Sequence, residues 1–149
     1  MVNRGMKTMP VRFAKHCENA MKIAQWMEES GLFKRVYYPG LASHPDHEVA
    51  VKELNGGFGG MIAFEPMSFD IAKNMLDNLK LVNLAVSLGD VESLIEHPAS
   101  MTHSVLNEEE LAEAGLTKEL VRFSVGIEDA DDLIADLKQA VEKAMADCK

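Results

Sequence analysis

Leu120–Asp132 reads LVRFSVGIEDADD, and the reading of its first six residues decides the fold. In an extended strand successive side chains alternate sides, so Val121, Phe123 and Val125 share one side while Leu120, Arg122 and Ser124 share the other. An arginine in the middle of such a strand is held by the sheet rather than by a loop. Its planar fork of donors suits two-pronged capture of a carboxylate. The same placement also fits an arginine paired with a local acid or solvated at a sheet edge. Beyond Gly126, Asp129 is placed to cap a helix whose buried face is Leu133, Ile134, Leu137, Val141 and Met145. Asp131 and Asp132 fall in its first turn, where the helix dipole favours negative charge. Asn83–Asp90, NLAVSLGD, reads as the partner of this stretch: a strand, NLAVS, with a bend at Gly89.

The chain has 149 residues, 47% apolar and 26% charged, which is one ordinary globular domain with enough material for a core. Its net charge of −9 argues against general nucleic-acid binding or an anionic membrane surface, since phosphate contacts need clustered lysine and arginine. No apolar segment reaches transmembrane length, and the opening MVNRGMKTMP lacks a signal-peptide core. Two cysteines, Cys17 and Cys148, make neither a disulfide framework nor a zinc spacing, so a reducing cytoplasm is the expected location. The ten methionines suit irregular gaps in a core.

Residues 1–10 contain Gly5 and Pro10 with little apolar periodicity, and read as an interdomain arm or the lead-in to a helix. Residues 11–149 read as a single domain. From about Val11 to Ser30, apolar residues recur at three- and four-residue steps (Phe13, Cys17, Ala20, Met21, Ala24, Met27), predicting an amphipathic helix closed by Gly31, with Ile23 and Trp26 widening its buried stripe. A short strand follows at Lys34–Tyr38, stopped by Pro39-Gly40, then a helix capped by Asp46 and running to about Leu54. His44, His47 and Glu48 are close in sequence but lack a third ligand at a coherent spacing, so no metal site is expected. The glycine-dense Asn55–Gly60 leads into a strand, MIAFEP, and not into a helix. It is therefore a bend rather than a phosphate loop. Ser68–Leu79 predicts a second helix, and Asp90–Glu96 a short helical turn before His97-Pro98. Ser100, Thr102, His103 and Ser104 lie in a polar loop with no mark of a hydrolase triad. Asn107–Glu110 resembles a capping box opening a short helix that ends at Gly115.

These elements predict an α+β two-layer sandwich, a mainly antiparallel sheet with helices on one face. The other face would present Arg122 and Ser87. No stretch supplies a catalytic centre of its own.

Five blocks, RGMKT (Arg4–Thr8), YPGLASHPDHEVA (Tyr38–Ala50), GFGGMIAFE (Gly57–Glu65), NLAVSLGDVESLIEHPASMTHS (Asn83–Ser104) and LVRFSVGIEDADDLIADL (Leu120–Leu137), resemble the C-terminal domain of the Cys/Met-metabolism enzymes that use pyridoxal phosphate. The resemblance covers nearly the whole chain, in order and at the family's spacing. It implies the small C-terminal domain of a fold-type I pyridoxal-phosphate-dependent transferase, either a cut fragment or a truncated gene product. In that family the preceding N-terminal domain carries the lysine that holds the cofactor, together with the phosphate and ring contacts. Lys7, Lys73 and Lys80 lie in no motif like the family's Schiff-base site, so no catalytic or cofactor-binding residue is expected here. Pyridoxal phosphate is expected in the full-length enzyme and none on this chain.

Carried over residue by residue, Arg122 matches the arginine that binds the substrate's α-carboxylate, and Ser87 the serine of the SLG motif that contacts the same group. Val86 stands where the family's cystathionine enzymes often carry glutamate, which favours an apolar thioether and a methionine γ-lyase-like α,γ-elimination. A cystathionine γ-synthase, γ-lyase or sulfhydrylase domain is the alternative within the family, and a free-standing interaction or regulatory module the alternative outside it. The implied partners are the N-terminal cofactor-binding domain and an amino-acid substrate, in what is usually a homotetramer.

Overall fold

A computed structural model describes residues 2–102 and 108–148. Its elements are α1 (Val2–Ser30), β1 (Phe33–Tyr37), α2 (His47–Glu53), β2 (Met61–Pro66), α3 (Phe69–Asp77), β3 (Asn83–Leu84), β4 (Leu94–Glu96), α4 (Glu108–Glu113), β5 (Val121–Ser124) and α5 (Ala130–Asp147). The five strands form one sheet in the order β1-β2-β5-β4-β3. Every neighbouring pair is antiparallel except β3 and β4. Helices α1, α3 and α5 pack together and against the sheet, giving the α+β two-layer arrangement. Among the described residues no helix is long and apolar enough to cross a membrane.

The side-chain alternation in β5 decides which face the helices cover. Val121 and Phe123 are fully buried, beside Ile62 and Phe64 of β2 and Ile95 of β4. Each such side chain contributes about 1.5–3 kcal/mol through area removed from water. From the helical layer Ile23 and Met27 of α1, Met75 of α3, and Leu133, Leu137 and Val141 of α5 complete this core. Ser68 caps α3 by accepting from Ile71 N–H, and Asp129 caps α5 by accepting from Asp131 N–H.

Helix α1 starts at Val2, well ahead of the predicted Val11, and carries Pro10 inside it. Proline removes an N–H and crowds the preceding turn. Arg12 reaches back over that turn, donating to Gly5 O at 3.0 Å and to the Thr8 hydroxyl. The turns before Val11 lie mostly exposed, so no apolar stripe announces them. Gly31 ends the helix at φ +67°, a conformation that costs glycine little.

The region between α3 and β5 departs most from expectation. Residues 90–96 are not a helical turn: Leu94–Glu96 is a strand, paired on one side with β5 and on the other with β3. Three residues are too few to show a period, and pairing with β5 overrides the local preference. The strand predicted over NLAVS is only Asn83–Leu84, although Ala85 N–H still donates to Ile95 O at 3.0 Å. Ser87 N–H then turns back to Ala85 O at 3.1 Å, and the chain leaves the sheet. Of the predicted capping box and polar loop, Asn107, His103 and Ser104 lie outside the described residues.

Polar side chains fasten the ends. The Asp136 carboxylate in α5 accepts from the backbone N–H groups of Lys80 (3.0 Å), Leu81 (2.8 Å) and Val82 (3.0 Å), fixing the approach to β3. From α1, His16 Nδ1 donates to Val125 O at 2.6 Å, and the Asn19 amide donates to Gly126 O and Glu128 O at 3.1 and 2.7 Å. These bonds lock α1 to the chain leaving β5.

Candidate carboxylate-binding site

The face of the sheet turned away from the helices carries one row of side chains across four strands. Register places Tyr37 of β1 beside Ala63 of β2, Ala63 beside Arg122 of β5, and Arg122 beside Glu96 of β4. Arg122 lies on this face, as the alternation in LVRFSV predicts, among the buried side chains of Glu65, Leu94, Glu96 and Ser124. Ala63 gives the guanidinium room that a larger neighbour would fill.

Arg122 Nη2 is 2.8 Å from Glu96 Oε1; the arginine side chain is 34% exposed and the glutamate 1%. Neither carboxylate oxygen of Glu96 finds an aligned hydrogen bond among the described residues. The contact is thus an ion pair made at one guanidinium nitrogen, on the buried side. The rest of the donor fork remains for a group arriving from outside. Glu65, also 1% exposed, sits diagonally across from Arg122, one pleat along β2. Its Oε1 accepts from the Tyr37 hydroxyl at 3.2 Å and the Thr117 hydroxyl at 3.1 Å, while Oε2 is buried with no hydrogen-bond partner among the described residues.

His97 ties β4 to the approach of β5. Its Nε2 lies 2.5 Å from Lys118 O, and its Nδ1 lies 3.2 Å from Ser100 N–H, so both ring nitrogens have partners. The ring also lies 5.5 Å from that of Phe69. The ion-paired residues are thereby held at adjacent fixed backbone positions.

One pleat from Arg122, Ser124 hydroxyl accepts from Gly89 N–H at 3.0 Å, tying the end of the SLG loop to β5. Ser87 therefore lies in a loop and not in a strand. Both Ser87 and Val86 are exposed, Val86 by 52%. No hydrogen bond joins Ser87 to Arg122 among the described residues. Beside the loop an open pocket of about 390 Å³ is lined by Met9, Phe13, His16, Gly60, Leu88 and Ser124, among others. Its lining is mainly apolar, as a site for a hydrocarbon or thioether chain would be.

Three lysines and two carboxylates bear on whether pyridoxal phosphate fits beside Arg122. A lysine that could hold its aldehyde would have to stand on this face. Lys73 projects from α3 and Lys80 precedes β3 beside α5, both in the helical layer, while Lys7 lies on the projecting turns of α1. Two buried carboxylates, Glu65 and Glu96, flank the arginine and oppose a doubly charged phosphate. A single carboxylate is the better match. His47, the residue nearest a metal-ligand pattern in sequence, uses Nδ1 on Pro39 O at 2.8 Å and lies 5.9 Å from the Phe58 ring.

Sequence reasoning passed over Glu96, which pairs with the guanidinium, and Glu65 and Tyr37, which share its face. Glu96 was hidden in the stretch read as a helical turn. The one available signal was the placement of LIE directly before His-Pro, where a helix is unfavourable.

Residues 1–142 match the family described as Cys/Met metabolism PLP-dependent enzyme. The chain is 53% identical over 141 residues to an L-methionine gamma-lyase of Fusobacterium nucleatum subsp. polymorphum, covering 94% of this chain and 35% of the relative. It is 50% identical over 142 residues to a cystathionine beta-lyase of Coxiella burnetii, covering 95% of this chain and 36% of that protein. A solved cystathionine gamma synthase of Xanthomonas oryzae pv. oryzae, in complex with cystathionine, superposes with a TM-score of 0.88 at 42% identity. That match covers 96% of this chain and 37% of the solved one. The chain therefore spans about a third of the length of the relatives it matches.

Proposed function

Because the chain belongs to the Cys/Met-metabolism PLP-dependent enzymes, we propose that it is the substrate-carboxylate-binding domain of a carbon–sulfur lyase acting on a sulfur amino acid. The observation that carries this reading is Arg122. Its guanidinium stands on the sheet face turned away from α1, α3 and α5, fixed by strands on both sides, paired with the buried Glu96 and partly exposed. Such a group holds a carboxylate in one orientation, so that the rest of the amino acid is presented at a defined position. On this reading Ser87, two residues from the Gly89 that is tied to Ser124, supplies a second donor to that acid group.

The apolar Val86 and the pocket beside Leu88 favour a thioether side chain, as in a methionine γ-lyase-like α,γ-elimination. The cystathionine enzymes among the relatives are the alternative. The cofactor, which supplies the electron sink when bound, and its lysine belong on this reading to the N-terminal domain that accounts for the relatives' extra length. This chain alone is then inactive. In the family's manner the whole enzyme is a homotetramer in the cytoplasm.

Two experiments test the reading. In the intact enzyme containing this chain, Arg122→Lys lowers kcat/KM for methionine by about 100-fold or more, because an ammonium cannot reproduce the two-pronged contact. Unchanged turnover removes Arg122 from the site. A coding frame that begins at Met1, with no cofactor domain upstream, would instead favour the free-standing module. The exposed apolar cluster of Met9, Phe13, Val86 and Leu88 would serve such a module as a binding surface.

A further inference from the structure

We propose that Glu96 sets how strongly this domain holds a carboxylate, by sharing the charge of Arg122. The proposal rests on the reading of Arg122 as the carboxylate-binding residue, and makes Glu96 a positioning residue that acts through it. Three observations carry it. Register puts the two residues directly opposite each other on neighbouring strands. The carboxylate is almost wholly buried while the guanidinium is one-third exposed, so the acid lies on the inner side and cannot itself meet a ligand. Among the described residues the guanidinium is the only cation it contacts, and neither of its oxygens has an aligned hydrogen bond.

A buried carboxylate cannot give up its cation without leaving an uncompensated charge, which is strongly unfavourable. An incoming acid group therefore does not displace Glu96. It adds as a second carboxylate on the same guanidinium, at the edge that Nη2 leaves free. The arriving group meets an ion pair of net charge zero rather than a lone cation, and the attraction it feels is correspondingly weaker. Glu65 does not change this balance in the ligand's favour, being a further acid on the same face. The consequence is a specificity device. A simple carboxylic acid gains too little at Arg122 to bind well, and an amino acid binds only when its remaining atoms are held elsewhere.

The test uses the purified 149-residue chain and sodium acetate as the probe, at constant ionic strength. Side-chain NMR follows the Arg122 Nε–H signal, assigned by its loss in Arg122→Lys. The expected result is weak binding to the native chain and about tenfold tighter binding to Glu96→Gln, which removes the opposing charge but keeps the shape. Glu96→Asp, with its charge drawn back by one methylene, falls between the two and provides the comparison if the glutamine variant does not fold. A purely structural role for Glu96 would loosen the site and weaken acetate binding in both variants. Equal or weaker binding in the variants, with an acetate response intact in the native chain, overturns the proposal and leaves the role of Arg122 standing. No acetate response at Arg122 in any of the three proteins overturns that role, and the proposal with it.

Discussion

Arg122 and Glu96 face each other across adjacent antiparallel strands, Nη2 to Oε1 at 2.8 Å, with the acid buried and the base partly open to solvent. Removing the cation alone strands a buried charge. Arg122→Leu should therefore destabilise the chain by about 1–3 kcal/mol, the usual cost of breaking such a pair discounted for the arginine's exposure. Arg122→Leu combined with Glu96→Leu should recover most of that loss. Urea denaturation of the single and double variants measures both, and additive losses would show that the pair is not coupled.

Gly126 permits a crossing of backbones just past β5. A Cβ there would meet Val91 O and Ser93 N–H, neither of which is a flexible side-chain end, as well as the Glu128 carboxylate. That carboxylate accepts from Ser93 N–H at 2.6 Å and from Ser93 hydroxyl at 2.9 Å. Gly126→Ala should cost about 2–3 kcal/mol through forced displacement. Thermal melting reports the loss, and a neutral result would mean the loop before β4 yields freely.

Asp136 gathers three backbone N–H groups that are otherwise without partners at the approach to β3. Asp136→Ala leaves those donors unpaired and should destabilise by about 2–4 kcal/mol. Amide exchange at Lys80, Leu81 and Val82 should accelerate more than at α1. Uniform acceleration would argue against a local fastening role.

Tyr38 is buried beneath the glycine-rich joint, its hydroxyl donating to Gly59 O at 2.9 Å. Burial, with a smaller contribution from Cys17, pushes its phenol well above the usual range. A folded-state pKa raised above the unfolded value gives stability that is complete below about pH 10 and is lost as pH rises beyond it. The native chain should lose melting temperature steeply above about pH 10, and Tyr38→Phe should flatten that fall. Identical alkaline slopes in the two proteins would rule out this phenol as the source.

Mixing the purified chain with pyridoxal phosphate should produce no stable lysine-linked absorbance, since Lys7, Lys73 and Lys80 all stand away from Arg122. A stable yellow complex abolished by substituting one lysine would contradict that placement.

The parts legible in the sequence were those whose periodicity is long. The stripe Ala20–Met27 in α1, the repeat in α5 and the alternation Val121–Phe123 each bury side chains in register with the core, so the pattern and the packing agree. Arg122 could be assigned its face because its neighbours in the strand were unambiguous. Leu94–Glu96 could not be read, since its extended form comes from β5 alongside and not from its own three residues. Ser87 was expected on a strand and instead lies in a loop. The turn of its N–H onto Ala85 O and the tether of Gly89 to Ser124 Oγ, which put it on a loop, depend on partners near and far. The fasteners His16, Asn19 and Asp136 looked like ordinary polar residues, because the carbonyls and amides they serve are more than fifty residues away.

The bonds from His16 and Asn19 to Val125, Gly126 and Glu128 make the long first helix and the arginine-bearing strand a mechanical unit. The helix extends over about four turns ahead of His16, like a lever arm whose fulcrum is three residues from Arg122. Anything that docks on those exposed turns is therefore anchored, through the helix, to the chain three residues beyond the arginine.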